Sequence, residues 1–594
     1  MRSVIFPLTL SEVFPNTIVY DPAHMLEFRL RQLNRVETLR FCAHLNLFIA
    51  DAYHPRQFLE QQLPLLRMFL TDRDFNRIRQ LALNPNFTFF HREQLLELMR
   101  QVSVHCPDQA KYSSPTQNNR SKRAFLEAAL LVSKILLDLI YGNVKPKESA
   151  NVVRKSILEP LRHSARYSSK AMDPIRAFGR GAMMFFEYLP RECPDFPGMF
   201  ENGVGLSLDE YYACLFLLTA HYLEIPVEQD SHQRHLVHTN MFQQYPHADN
   251  IFRKYMMLES QAADDIRASF QKASTSENQF KSIRQRPILR LSDAYAIVLD
   301  PAFHTEKAIV GPLFAVPQQT GHLLTYFGYA FEKYAQSILQ SMYSETNETR
   351  QRLICSQELG SRKVRWGELD ACLIDDKYLL LFEMKGRWIK EDKVVEPDYE
   401  DYLNELRKKY GEAAQQLAEA INLLTTKQVA IEGHDIHNTQ RIYPVLLAYD
   451  SSLNVPGNTW FFESEFREAL QPDNLLPGSS RIMAKGQWEV APLTLMTIDV
   501  LEDLETSVKN FSLADLLGDY FAFRDKEMQA REDTLALPEF IELSDYAKKM
   551  NTQGSVVKRS LEIFEKSLEI FRKSIEAILP EDLHSAFLLK GQSV

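Results

Sequence analysis

The sequence predicts an α+β chain in three parts: an α-helical N-terminal half (1–315), an α/β core (316–505) and a helical C-terminal region (506–594). Three observations carry this. Through most of the first 300 residues, apolar side chains recur every three or four positions, the period of a helix with one buried face. Between Val364 and Gly386 the pattern changes to two apolar-rich runs around the polar pair Asp375 and Asp376, which reads as a β-hairpin. From Ser560 a seven-residue period appears, with Leu561, Phe564, Leu568, Phe571, Ile575 and Ile578 at its seam.

The composition is that of an ordinary globular protein, with 45% hydrophobic and 25% charged residues in 594. A net charge of −10 excludes a generally basic nucleic-acid coat, although a local basic cleft remains compatible with it. The six cysteines are scattered without a C-x-x-C pair, so neither a disulfide framework nor a zinc ribbon is expected and a reducing compartment fits. The apolar stretch at the N-terminus is too short for a secretory signal, and no apolar run is long enough for a bilayer. A cytoplasmic protein without a membrane partner is expected.

In the N-terminal half, Leu26, Leu30, Leu33, Val36 and Leu39 form a helical stripe. A second helix is expected around Phe58 to Phe69, interrupted by Pro64, and a third over 91–102. The polar stretch 107–122 reads as a loop, followed by a strong helix over 123–140. The stretch from Lys145 to Arg180 carries nine basic residues against three acids. It reads as a solvated helical face, with phosphate contact through Arg162, Arg166 and Arg176 as the functional option. A buried helix is expected at 211–223 and a further one over 250–273. His232, His235 and His238 invite a zinc reading, but steps of three drift around a helix and nothing completes a recognised spacing. No Walker A pattern is present, so no P-loop motor is expected.

In the core, Leu323, Phe327, Phe331, Tyr334 and Ile338 form the stripe of an amphipathic helix over 321–340. A strand follows at 350–359, then the hairpin, a charged loop at 390–396, and a helix from about Asp398 to Leu424. Two buried strands are expected at 441–450 and 490–500.

With Ile374 opposite Lys377 across a two-residue turn, Glu368 faces Glu383 and Asp370 faces Leu381. Alternation then places Glu368, Asp370, Glu383 and Lys385 on one face, over an apolar floor of Leu369, Ala371, Leu373, Leu380, Phe382 and Met384. Only an even number of turn residues preserves this arrangement. Carboxylates so close repel unless a cation lies between them, and a hard divalent ion such as Mg²⁺ (or Mn²⁺) suits an all-oxygen donor set. A metal beside an ammonium suits attack of water on a phosphodiester.

Asp370, twelve intervening residues, then Glu383 and Lys385 two further on, resembles the D-(x)n-(D/E)-x-K signature of the PD-(D/E)xK nuclease superfamily. The resemblance spans about 320–505 and implies a restriction-endonuclease-like core, with Asp370 and Glu383 as metal ligands and Lys385 as a catalytic base or electrostatic group. It also implies an acid on the preceding helix, for which Glu332 is the match, and a glutamine or lysine on the following helix. There Gln416 is the first choice and Lys409, on the same flank, the second. Glu368 is a further metal candidate.

Two classes of function are expected. The first is a Mg²⁺-dependent nuclease, acting on DNA, with the helical half as a recognition or partner module; bacterial defence against foreign DNA is an analogy from such architectures. RNA is not separable as substrate, because the metal chemistry is shared. The second is a non-catalytic helical scaffold, or nucleic-acid-binding protein, with a nuclease-like fold. The heptads at 560–578 read as a terminal helix packed on its own chain in preference to a self-association helix.

Overall fold

The computed structural model describes residues 6–15, 17–50, 63–82, 87–109, 114–141, 174–223, 236–272, 280–316, 322–343, 351–361, 364–389, 399–426, 430–431, 434–454, 457–470, 483–485, 488–505, 512–529, 543 and 546. His232 and His235, the stretch 142–173, the charged loop at 390–396 and the heptads at 560–578 lie outside them. The protein is a mixed α+β structure whose chain divides into two compact units. One holds Met183–Pro194 and Thr320–Glu562; the other holds Arg2–Ala182 and Asp195–Gln319. No helix among the described residues is long and apolar enough to cross a membrane.

The second of these units is mostly helical. Leu26, Leu30, Leu33 and Leu39, from the expected stripe, are all buried in its core. It is not all-helical, as the periodicity suggested. Strands Val237–His238, Tyr295–Val298, Ile288–Arg290 and Ser260–Ala262 form a four-stranded sheet in that order. The last of these interrupts the helix expected over 250–273: Pro246–Glu259 and Ala263–Lys272 are separate helices with Ser260–Ala262 between them. Strands of two to four residues are too short to show a period. Arg180, the last residue of the basic stretch, has a buried side chain in helix Pro174–Ala182, so the phosphate option does not extend to it.

A buried ion pair joins three segments of this unit. Asp300 accepts from Arg92 Nε and Nη2 at 2.7 and 2.8 Å and from Asn46 Nδ2 at 2.8 Å. It also caps helix Pro301–Ala315 through the Phe303 amide at 2.7 Å.

The other unit opens with helix α1 (Leu323–Tyr343) and strands β1 (Gln351–Ser361), β2 (Val364–Asp375) and β3 (Tyr378–Lys385). Helix α2 (Tyr399–Leu406) continues through a π-helical turn at Arg407–Gly411 into α3 (Glu412–Thr425). Strand β4 (Arg441–Ala448), helix α4 (Asn458–Leu470) and strands β5 (Met483–Lys485), β6 (Trp488–Val490) and β7 (Thr494–Thr497) follow. Helices α5 (Ile498–Glu505) and α6 (Leu513–Gln529) are the last long elements described. The strand expected at 490–500 is therefore two short strands and the start of a helix.

The seven strands form one mixed sheet in the order β5-β6-β4-β3-β2-β1, with β7 also on β4. β1, β2 and β3 are antiparallel neighbours, whereas β3 and β4 are parallel. The parallel pair requires a crossover, which α2 and α3 supply. β3 is central and covered on both faces, so Leu379, Leu381 and Glu383 are as buried as Leu380 and Phe382. The apolar residues of β3 are therefore not confined to the floor side, since Leu379 and Leu381 lie on the face that carries Glu383. Pro444 in β4 has no amide to donate. It sits where the outer neighbour of β4 changes, after β6 pairs with Arg441 and Ile442 and before β7 pairs from Val445 onward.

Replacing Asp300 by Ala should strip Arg92 of its buried counter-charge and uncap a helix. The expected loss is about 3–5 kcal/mol, the range for breaking a buried pair from one side, read as a fall in the denaturant midpoint of the full chain.

Candidate active site

The hairpin turn falls at Asp376 and Lys377, with Asp375 opposite Tyr378. Sequence placed it one residue earlier. Asp376 takes the left-handed conformation, φ 52°, which aspartate tolerates better than most residues. Asp375 instead extends the ladder, paired with Gln351 of β1, whose side chain donates to its carboxylate at 3.0 Å. The shift keeps the turn at two residues, so Glu368, Asp370, Glu383 and Lys385 still share a face. It changes their partners, bringing Asp370 level with Glu383 instead of Leu381.

At Asp370 the sheet is interrupted on both sides. The β2–β3 ladder ends at Ala371 and Phe382. On the β1 side, Cys355 and Gln357 pair with Ala371 and Leu369 while Ser356 between them is skipped, at φ 53°. A serine held in the left-handed region is strained backbone. Side chains take over the freed polar groups. The Asp370 carboxylate accepts the Met384 amide at 2.6 Å, and Gln336 of α1 donates to the Asp370 carbonyl at 2.7 Å and to Ser356 Oγ at 3.3 Å.

Four acids converge here. Glu383 is almost fully buried, and its Oε1 accepts from Lys385 Nζ at 2.5 Å. Burial pushes its carboxyl above the ordinary range; the Lys385 ammonium opposes this, and Glu332 and Glu412 add to it. Burial also raises Asp370, reinforced by the charge of Glu383 and opposed by the Met384 amide and Lys385. Glu332, one turn before Gln336 on α1, is raised by burial and then by Asp370, with Lys333 and the Gln336 amide opposing. Its carboxylate accepts from Gln336 Nε2 at 3.0 Å and lies 3.7 Å from Lys333 Nζ. Glu368 is exposed and acts on both Asp370 and Glu332 by charge.

On the other helix, Gln416 Oε1 lies 3.5 Å from Lys385 Nζ. Lys409 contributes its carbonyl, 3.4 Å from Nη1 of Arg387. The structure thus brings together Asp370, Glu383, Lys385, Glu332 and Gln416, with Glu368 at the margin. Sequence reasoning missed Gln336, Ser356 and Glu412. Gln336 was open to discovery, since it follows Glu332 by one helical turn; the conformation of Ser356 left no trace in the pattern.

Among the described residues, no group of three or more His, Cys, Asp or Glu side chains is placed to hold a metal ion. One oxygen of Glu383 is taken by Lys385 and one of Asp370 by the Met384 amide. The donor chemistry nevertheless fits a hard divalent cation: the set is all oxygen, both carboxyls are raised by burial, and the charge of Glu383 raises Asp370 further against a single ammonium. Comparison with protein-family models, with curated proteins and with solved structures gives no match.

Raised carboxylates favour protonation in the folded state. Their contribution to stability is therefore full at low pH and is lost as pH rises from about 4, the unfolded value, through the raised folded values. The metal-free protein should lose stability over that interval. Asp370→Asn keeps an acceptor for the Met384 amide but removes one charge, so it should flatten the slope and raise the melting temperature at pH 8. Melts across pH in the presence of a chelator decide this; an unchanged slope would mean the Asp370 carboxyl is not raised in the folded protein.

Proposed function

We propose that this protein is a metal-dependent nuclease that hydrolyses phosphodiester bonds of DNA, using Asp370, Glu383 and Lys385. The observation that carries this reading is the placement of Asp370 beside Glu383, with Lys385 Nζ on the Glu383 carboxylate, at the interruption of a buried sheet. Burying two acids against each other is costly for folding and is the kind of arrangement found at sites of chemistry. The order helix, strand, hairpin, helix, strand, with β3 parallel to β4, supports a restriction-endonuclease-like core. A role in bacterial defence against foreign DNA remains an analogy from architecture.

Asp370 and Glu383 would hold Mg²⁺ or Mn²⁺, with Glu332 and Glu368 as outlying acids. A bound divalent ion supplies Lewis acidity and lowers the pKa of attacking water. Lys385, released from Glu383, donates its ammonium hydrogens to the attacked phosphate, where negative charge develops. Gln416 accepts from that ammonium and so aims it. Gln336 holds the main chain of Asp370, and the Met384 amide holds its carboxylate, so the acid is fixed before substrate arrives.

A second reading is a non-catalytic scaffold, favoured by the Lys385–Glu383 pair standing where a metal would bind. RNA as the substrate is a variant of the first reading.

A cleavage panel separates them. The full chain is incubated with plasmid, linear duplex, single-stranded DNA and RNA, with Mg²⁺, Mn²⁺ or chelator. Cleavage dependent on the divalent ion is expected. Lys385→Ala should keep metal binding by calorimetry and lose about two to four orders of magnitude in rate. Asp370→Asn should lose metal affinity and activity together. No divalent binding and no cleavage by the wild type would favour the scaffold, and full cleavage by both variants would place the chemistry elsewhere.

A further inference from the structure

Gly328 lies in the interior of α1, one turn before Glu332. Glycine there weakens a helix relative to alanine, and this one has neither of the usual structural reasons. Its φ is not positive. A Cβ built on it would meet nothing within 4 Å. The packing demand falls instead on Gly386, whose Cβ would lie 3.0 Å from Gly328 Cα and 3.1 Å from Phe331 Cβ. Gly386 directly follows Lys385. The two glycines therefore leave bare backbone between the acid-bearing helix and the end of the strand that carries the lysine, and the notch is open to solvent on the Gly328 side.

Two exposed aromatics lie close to Gly328 in the sequence of α1. Tyr329 is 51% exposed and Tyr326 37%. Tyr329 precedes Glu332 by three residues and Gln336 by seven, so it lies on the same flank of α1 as the residues that reach Asp370. Tyr326 and Tyr329 are three residues apart and so are neighbours on the helix surface, where their rings form a step. Cations lie on both adjoining segments: Lys333, about half-exposed, is one turn after Tyr329 and pairs with Glu332, and Arg387 is exposed and next to Gly386. Aromatic faces with flanking cations are what unstacked bases and their phosphates bind. A paired duplex keeps its bases stacked inside and offers such rings nothing to stack on.

We propose that Tyr329 and the Gly328 notch, which both neighbour Glu332 on the surface of α1, seat an unstacked nucleotide next to the scissile phosphate, so that the substrate is single-stranded DNA. This rests on the nuclease reading above, and the test keeps the two apart. Binding of a fluorescent oligothymidylate and of a hairpin duplex of equal length is measured by anisotropy in chelator, alongside the cleavage panel. Tyr329→Ala should weaken oligothymidylate binding about ten-fold or more, the effect of losing one stacked base, and leave hairpin binding unchanged. Gly328→Leu should melt no lower than wild type, because its Cβ enters open space, yet lose single-strand binding to a similar degree. Gly198→Leu, at another helical glycine whose Cβ would meet nothing within 4 Å, is the control and should change neither binding nor cleavage. If both site variants bind the oligonucleotide as wild type does, or if wild type binds the hairpin as tightly as the single strand, the proposal is overturned. Tyr329-dependent binding without any cleavage would keep the seat and remove the hydrolysis. Duplex cleavage indifferent to both substitutions would keep the hydrolysis and remove the seat.

Discussion

The site depends on an interruption of backbone hydrogen bonding at Asp370. A central strand is normally tied to its neighbours on both edges, because a buried amide or carbonyl left without a partner costs free energy comparable to a lost hydrogen bond. At Asp370 both ladders lapse, toward β3 beyond Ala371 and toward β1 at Ser356. The groups so released are met by Gln336 and by the Asp370 carboxylate itself. The substitute bonds fix the main chain and the carboxylate of Asp370 in place. Ser356 carries the accompanying strain in its backbone, beside the charged groups, which is where such strain tends to collect.

The shared face of Glu368, Asp370, Glu383 and Lys385 was legible in the sequence because it depends only on parity. Any turn with an even number of residues gives it, so misplacing the turn by one position at each strand end left it intact. Which residues oppose each other depends on the turn itself, and Asp376 decided that by accepting a left-handed conformation that the hydrophobic pattern does not encode. Burial on both faces was partly visible in the unbroken apolar run Leu379–Phe382, which suits a strand in a parallel pair better than one face of an exposed hairpin. In the helical unit, Ser260–Ala262 was read through as helix because three residues between two amphipathic segments hardly disturb the period.

Electrostatics sets what the site can do and what it costs. Glu383 and Asp370 sit in an environment that resists charge, with the one ammonium of Lys385 facing both, while Lys333 opposes the shift of Glu332. Replacing such a group with an apolar residue of similar shape would be expected to stabilise the fold. The arrangement persists in a sheet that is otherwise well packed, with Leu369, Ala371, Leu380 and Phe382 fully buried around it. The conflict is thus local to the face carrying the acids, and it is the face that the helices on either side address through Glu332, Gln336 and Gln416.

The reach of Gln416 rests on one further irregularity. Lys409 and Gln416 are seven residues apart, which on an ideal α-helix would set them on nearly the same flank. Lys409 lies within the π-helical turn Arg407–Gly411, and Gln416 lies beyond it. Such a turn accommodates an extra residue, rotating the helix beyond it by roughly the 100° that one residue subtends in an α-helix. The flank is therefore split. Lys409 falls where its carbonyl meets Arg387, and Tyr410 bonds the Arg387 carbonyl, while Gln416 comes to Lys385. The loop after β3 is held to the crossover helix by the π turn, and the lysine at the end of β3 by the α-helical turns beyond it. One continuous helical segment thus contacts both the residue after the β3 end and the lysine of β3, the first from its π turn and the second from the α-helix beyond.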